Sequence, residues 1–459
     1  MCDELRKIEQ KMKNSPLVLG SVPITKLLMQ YAMPAIISTI ATSLYNLVDS
    51  IFIGQGVGAL AIAGLAVTFP LMNLAAAFGS LVGVGASALV SIKFGQKSYD
   101  EANYIFGNVI LLNLILGISL SIVGLVFIDP LLLFFGASND TLPFAKDYMR
   151  IILIGNVITH LYFGLNAVLR AAGFPRMSMF FTLFSVVVNA LLAYTFIFLF
   201  DWGIAGAGWS TVLSQLLALI GQLIHFMNKK NIIHFQRGIL SLKMKYIKGI
   251  LSIGVSPFMM NFAACLVVLI INWGMREHGG DLAIGAYGIV NRIVFIFIMI
   301  NLGFNQGMQP IAGYNYGAKK YDRVMDVTHK AIFCAVTNCT IGTLLCLLFS
   351  HEVVGLFTSD PVLAGLSVEG LRIVFCIFPI VGFQMVSSNL FVSIGKSKQA
   401  IFLSLTRQVL FLIPFLLILP KYYGVRGVWL SMPLSDVAAS ITAAILLRRV
   451  YKGFKQVKS

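Results

Sequence analysis

FGQKSYDEA at residues 94–102 returns 222 residues later as YGAKKYDRV at 316–324. Each stretch carries a glycine, a lysine and a Tyr-Asp step, with long apolar runs on both sides. A glycine there suits a helix end, and the acidic residue that follows suits the positive end of the next helix. Both stretches therefore read as hairpins between helices. Working outward, the same offset aligns Leu60 with Leu282, Ala61 with Ala283, Ile62 with Ile284, Gly85 with Gly307, Arg150 with Arg372 and Gly173 with Gly395. Further on it becomes 221, aligning Gly206 with Gly427, Ser210 with Ser431 and Leu213 with Leu434. One such pair carries no information; a register kept from Leu60 to Leu213 marks an internal duplication.

The chain has 459 residues, of which 58% are hydrophobic and 11% charged, with a mean hydropathy of +0.87. That much apolar surface does not fit inside one water-soluble core, so the solvent is lipid. A bilayer core of about 30 Å needs roughly 20 apolar residues per helix. Twelve such stretches occur, near 27–53, 62–92, 104–128, 147–169, 177–200, 204–227, 247–274, 283–313, 330–350, 368–394, 400–420 and 427–447. The expected fold is an all-α polytopic membrane protein with 12 transmembrane helices in two pseudo-symmetric six-helix lobes. The expected divisions are a cytoplasmic segment at 1–26, an N-terminal lobe at 27–227, a basic linker at 228–246, a C-terminal lobe at 247–447 and a basic tail at 448–459. Six spans per half give both halves the same orientation, which predicts parallel repeats around a central cleft.

A formal charge of +16 raises the question of nucleic acid, and its placement answers it. With a cytoplasmic start, the cytoplasmic segments hold 26 of the 34 Lys and Arg, six of them from Lys229 to Lys248 in the linker and just after it. This is the positive-inside distribution, and both termini are expected in the cytoplasm. No loop is long enough for a basic folded domain, so no nucleic-acid partner is expected. The six cysteines lack paired metal spacing and read as small core residues. No apolar core with a cleavage site opens the chain, so the first span is expected to be retained.

Prolines fall within spans at Pro34, Pro70, Pro257, Pro310, Pro379, Pro414 and Pro433, and each removes a helix hydrogen bond and invites a kink. Pro34 and Pro257 are one residue off the repeat register, which points to a shared bend in the first and seventh spans.

The first span carries Ser38, Thr42, Tyr45, Asn46 and Asp49 along one helix face. A carboxylate deep in a bilayer costs roughly 2.5 to 3.5 kcal/mol, and such residues bind or relay cations. The alternative for Asp49 is interfacial water near the outer end of its span. Ser185 and Asn189 in the fifth span and Ser210, Thr211, Ser214 and Gln215 in the sixth could complete an oxygen-lined pocket for a proton or a hard monovalent cation; otherwise they join helices by hydrogen bonds. The second half offers Asn291, Arg292, Asn305, Gln306 and Gln309, then Gln384, Ser388 and Asn389, then Arg407, Gln408 and Asp436. Arg292 and Arg407 read as buried cations needing partners, with structural ion pairs or snorkelling as the alternative. Tyr45, Asn46, Gln306, Gln384, Ser388, Arg292 and Asp436 are the substrate-cleft candidates. The 18 Met and 35 Phe suit varied apolar ligands. No HExxH, GxSxG, GxxxxGKS or paired-Cys metal pattern occurs, so neither catalysis nor ATP hydrolysis is expected.

NLVDSIFIGQGVGALAIAGLAVTFPL (46–71), LGFNQGMQPIAGYNYGAKKYDRV (302–324), FPIVGFQMVSSNLFVSIGKSKQA (378–400) and TRQVLFLIPFLLILP (406–420) resemble the MATE family of multidrug and toxic compound extrusion transporters, nearest its bacterial branch of MepA and DinF-like members. The resemblance runs from about Ile24 to Tyr451. It implies two six-helix lobes and efflux of lipophilic or cationic compounds in exchange for inward H⁺ or Na⁺. It places Asp49 at the family's cation-coupling carboxylate, with Asn189 and Thr211 as polar partners. The family often has an aspartate four residues after that asparagine, where this chain has Ala193, so Na⁺ and H⁺ stay equally open. FMMNFAACLVV (258–268) lacks the acidic residue some relatives use, and no ion site is expected in the second half. No cofactor is expected beyond the coupling ion, no metal beyond Na⁺ at Asp49, and the chain is expected to act as a monomer. The alternative function is a flippase for a lipid-linked sugar or oligosaccharide, which a strongly cationic cleft would favour.

Overall fold

The computed structural model describes residues 16–456, which are overwhelmingly helical. The spans are α1 (Ile24–Gly56), α2 (Ala59–Gly95), α3 (Tyr99–Val126), α4 (Leu142–Ala171), α5 (Pro175–Tyr194) and α6 (Gly203–Met227). Then comes one continuous helical run, Met244–Gly317. Its 74 residues would measure about 110 Å as a single helix, several times a bilayer core. It is broken at Gly280, where φ 67° and ψ −162° are non-helical. We therefore treat it as two spans, α7 (244–279) and α8 (281–317). The series ends with α9 (Tyr321–Leu348), α10 (Pro361–Phe375 joined to Pro379–Ser393), α11 (Ser397–Tyr423) and α12 (Val425–Gln456). Twelve spans result among the described residues. Along α3, Ile115, Ile118, Ile122 and Val126 leave 46–67% of their surface exposed on one helical face, a face that lipid rather than water would cover.

The chain divides into two compact units. The first comprises Ile37–Phe258 with the short stretch ending at Ser21, and the second Val22–Ile36 with the residues from Met259 on. The two half-helices at the starts of α1 and α7 have thus changed places, and the boundaries inside these two helices fall within two residues of Pro34 and Pro257. Each half-helix lies against its adopted unit through glycine. A Cβ on Gly254 would meet the Leu81 carbonyl oxygen at 1.7 Å, and one on Gly85 would meet that of Ile250 at 2.2 Å. In the second unit, a Cβ on Gly307 would meet the Ala32 backbone at 2.6 Å and one on Gly303 that of Ile36 at 2.7 Å. Only a missing side chain allows such backbone contact.

The duplication extends to single hydrogen bonds. The amide of Ser98 donates to the Lys93 carbonyl and that of Lys97 to Phe94; the amide of Lys320 donates to Asn315 and that of Lys319 to Tyr316. Both hairpins are Schellman endings. Gly95 and Gly317 end their helices, as the sequence suggested, and two residues on Lys97 (φ 60°) and Lys319 (φ 58°) adopt left-handed backbone. Two captured carbonyls at each ending offset the cost of a side chain there. Asp100, Glu101 and Asp322 occupy the first turns that follow.

Pro379 bends α10 by 54°, the one proline that splits a span among the described residues. Pro414 has a subtler effect. Its missing N–H follows a π-helical stretch, Thr406–Leu412, where the ladder has slipped to wider spacing.

Candidate functional site

Four helices of the first unit turn polar stripes toward one another. α1 contributes Ser38, Thr42, Tyr45 and Asp49, while α5 contributes Ser178, Thr182, Ser185 and Asn189, both at steps of three and four residues. α6 adds Ser210, Thr211, Ser214 and Gln215. The fourth stripe escaped the sequence reading: Tyr148, Thr159, Tyr162, Asn166 and Arg170 of α4.

Asp49 is only 5% exposed, and its Oδ1 has no hydrogen-bond partner. None of the ion pairs among the described residues includes it. It lies within electrostatic reach of Tyr45 and Tyr148. The Tyr45 hydroxyl is 2.7 Å from Thr211 Oγ1, and Tyr148 faces the same threonine. Asn189 Nδ2 donates to Ser210 Oγ at 3.2 Å and to Thr211 Oγ1 at 3.4 Å. Thr211 donates in turn to the Ala207 carbonyl at 3.0 Å. The predicted trio of Asp49, Asn189 and Thr211 thus lies in one neighbourhood, with Tyr45 and Tyr148 added. An enclosed carboxylate without a cation is costly in its charged form, so a proton or a bound cation suits it.

A second cluster occupies the far end of the stripes. Arg170 donates to Asn166 Oδ1 at 2.6 Å and to Ser178 Oγ at 3.1 Å. Asn166 Nδ2 reaches the Ser178 carbonyl and Thr182 Oγ1, and Tyr162 lies beside Thr182 and Ser185. Between the clusters lies a cavity of about 40 Å³ lined by Thr42, Tyr45, Tyr162, Phe163, Thr182, Ser185, Val186, Ser214 and Gln215. Gln215 is held there by Thr159, which donates to its Oε1 at 2.5 Å. Such a volume admits a few waters or a small cation, far below the roughly 300 Å³ of a drug-sized pocket.

The second unit differs. Arg407 and Asp436 pair at 2.5 Å, the aspartate almost fully enclosed. Arg407 is therefore neither snorkelling nor an unpaired cation. Arg292, read from the sequence as buried, is exposed: burial depends on rotation about the helix axis, which depth along the span does not reveal. Gln384 is 5% exposed and donates to Ser388 Oγ at 3.2 Å. Gln306 is half-buried, and Asn46 of the first unit is exposed while its neighbour Tyr45 turns inward. Among the described residues no group of three or more His, Cys, Asp or Glu side chains could hold a metal ion.

Known proteins share this architecture. A multidrug export protein, MepA, from Staphylococcus aureus (strain MRSA252) is 26% identical over 425 residues, covering 93% of this chain and 94% of its own. MepA from Staphylococcus haemolyticus (strain JCSC1435) is 26% identical over 424 residues, covering 92% and 93%. Among solved structures, an outward-facing multidrug resistance MATE family transporter of the MOP superfamily superposes with a TM-score of 0.89 at 24% identity, over 95% of this chain and 98% of its own. A MOP superfamily transporter from Pyrococcus furiosus gives 0.90 at 23%, over 95% and 98%. At such identities these structures establish the fold. The family model MatE matches residues 34–195 and again 257–418, one copy in each half of the duplication, and the chain accordingly belongs to the MatE family.

Proposed function

We propose that this protein is a secondary active multidrug exporter of a bacterial plasma membrane, moving lipophilic or cationic compounds outward in exchange for inward H⁺ or Na⁺. Asp49 is the coupling carboxylate, with Asn189, Thr211, Tyr45 and Tyr148 arranging the hydroxyls and amide around it. The observation that carries the reading is Asp49 itself, enclosed and without a counter-ion, in a unit whose cavity of about 40 Å³ suits an ion with water but no cargo. An arriving cation neutralises the carboxylate and favours the enclosed arrangement; its release restores a charge that the interior tolerates poorly. One charge moving through 100 mV supplies about 2.3 kcal/mol, enough to sustain an export gradient. The names of the staphylococcal relatives support the export of drugs. A flippase for anionic lipid-linked sugars fits less well, because Arg407 is already neutralised by Asp436. The positive-inside distribution of Lys and Arg supports cytoplasmic termini, and the reading takes the protein as a monomer.

The test uses inside-out vesicles loaded either with acid or with Na⁺, with dye added outside. One gradient should drive dye into the lumen and the other should not. Dye accumulation indifferent to both gradients would remove the ion-coupled reading.

A further inference from the structure

The segment between α6 and α7 is no loose connector. Two asparagines of α3 clasp its backbone, each with both ends of the side-chain amide. Asn103 donates to the Ile232 carbonyl at 2.9 Å and accepts from the His234 amide at 3.0 Å. Asn108 donates to the Ser241 carbonyl at 3.1 Å and accepts from the Lys243 amide at 3.0 Å. Between them Gly107 lets the Ile239 carbonyl come so close that a Cβ would sit 2.1 Å from its oxygen. Phe106 packs against Phe235 at 5.2 Å, and Ile233 and Ile239 are 1–2% exposed. The strap is therefore fixed at the ends of α3, α6 and α7, all within the first unit.

What a docked strap leaves outside is informative. Leu240, Leu242 and Met244 are 54%, 54% and 61% exposed, although they belong to a segment held rigidly enough to bury its other apolar side chains. Around them the charge has one sign, because no Asp or Glu occurs between Asp201 and Glu277. Lys245 is tied to Glu101 at 2.5 Å, and Lys243 lies 3.3 Å above the Tyr104 ring. Lys229, Lys230, Arg237 and Lys248 are exposed and form no ion pair among the described residues.

We infer that the strap is an interfacial anchor that binds anionic phospholipid, with Leu240, Leu242 and Met244 at the boundary of headgroups and acyl chains and the four free cations on the phosphates. Exposed apolar side chains interleaved with basic ones are the composition of such interfacial segments, and a basic cluster beside a transmembrane helix attracts anionic headgroups. Attachment to membrane helices at both ends holds the strap at the depth where that lipid lies. The inference does not depend on what the protein transports.

The full chain is reconstituted in nanodiscs of phosphatidylcholine alone or mixed with phosphatidylglycerol. In a Leu240→Trp variant, the fluorescence added over the parent should be quenched by lipids brominated near the headgroup, more than by lipids brominated deep in the chain. An added tryptophan that neither lipid quenches lies in water or against a soluble protein, and overturns the proposal. Independently, Lys229, Lys230, Arg237 and Lys248 are changed together to Gln, and the lipids kept through mild detergent are counted by native mass spectrometry. The parent should retain phosphatidylglycerol over phosphatidylcholine and the variant should lose most of that preference. Equal retention in parent and variant rejects the anionic-lipid assignment.

Discussion

Position 49 of the first unit is an aspartate, and the residue matched to it by aligning Pro34 with Pro257 is the uncharged Asn272, whose neighbour Ile271 is 2% exposed within an apolar cluster that includes Val267, Met275 and Trp429. Thr211, at the 221 offset, has Met432. The exchange runs the other way at the cavity wall. Ser185 corresponds to Arg407 at an offset of 222, and Gln215 to Asp436 at 221. Where the first unit keeps a small polar void, the second places a charge and its counter-charge against each other. One architecture thus holds an acid without a partner in one copy and a satisfied ion pair in the other. The duplication preserves backbone and glycine contacts while the interiors have diverged. On the proposed function, ion response belongs to the first unit, while the second holds its charge in a satisfied pair.

The same chemical change should therefore have opposite consequences in the two units. Asp49→Asn removes a charge that has no partner, so the fold should be as stable as before or slightly more so. Its ion-driven dye accumulation should fall to that of vesicles lacking the protein. A variant at normal expression that still accumulates dye at the parent's rate would place coupling elsewhere. Asp436→Asn instead strands the Arg407 guanidinium, and losing one partner of a buried pair costs about 3–5 kcal/mol. The lower end of that range is expected, because the Arg407 side chain keeps 24% exposure. The unfolding temperature in detergent should drop clearly, and Arg407→Leu combined with Asp436→Leu should recover most of it. If the double variant is no better than the single one, the pair is not the unit's structural tie.

The glycine contacts sharpen the comparison at the exchanged half-helices. Gly254→Ala forces a Cβ to within 1.7 Å of a backbone oxygen, whereas Gly307→Ala meets backbone at 2.6 Å. Overpacking of this kind costs roughly 1–3 kcal/mol or more. Both variants should melt earlier, the Gly254 variant by the wider margin. Equal losses would mean that the two half-helices yield alike despite the tighter approach in the first unit.

Much of this was readable from residues alone. The repeat register marked both hairpins, and the helical spacing of Ser38, Thr42, Tyr45 and Asp49 marked the face of α1 that turns inward. Tyr148 and Tyr162 were missed because a tyrosine in an apolar helix passes for ordinary packing; their signal is weaker, a stripe spread from Tyr148 to Arg170. Arg292 was misplaced because its depth is set by position along the helix and its burial by rotation, which only neighbouring helices fix. The strap could not be foreseen. Asn103 and Asn108 declare a role only once the backbone they clasp is beside them.

The smallest effect tests whether the backbone duplication has energetic content. Lys97 and Lys319 take up nearly identical left-handed backbone, φ 60° and 58°, in endings with the same two captured carbonyls. A left-handed residue with a Cβ bears about 1–2 kcal/mol of steric cost. Glycine relieves it but gives back part through its freer unfolded chain. Lys97→Gly and Lys319→Gly should each stabilise by roughly 0.5–1 kcal/mol, read as a small rise in unfolding temperature. The two gains should match, because neither value depends on the interiors that separate the units. Unequal gains would mean that the side chains, rather than the shared ending, set the cost at these turns.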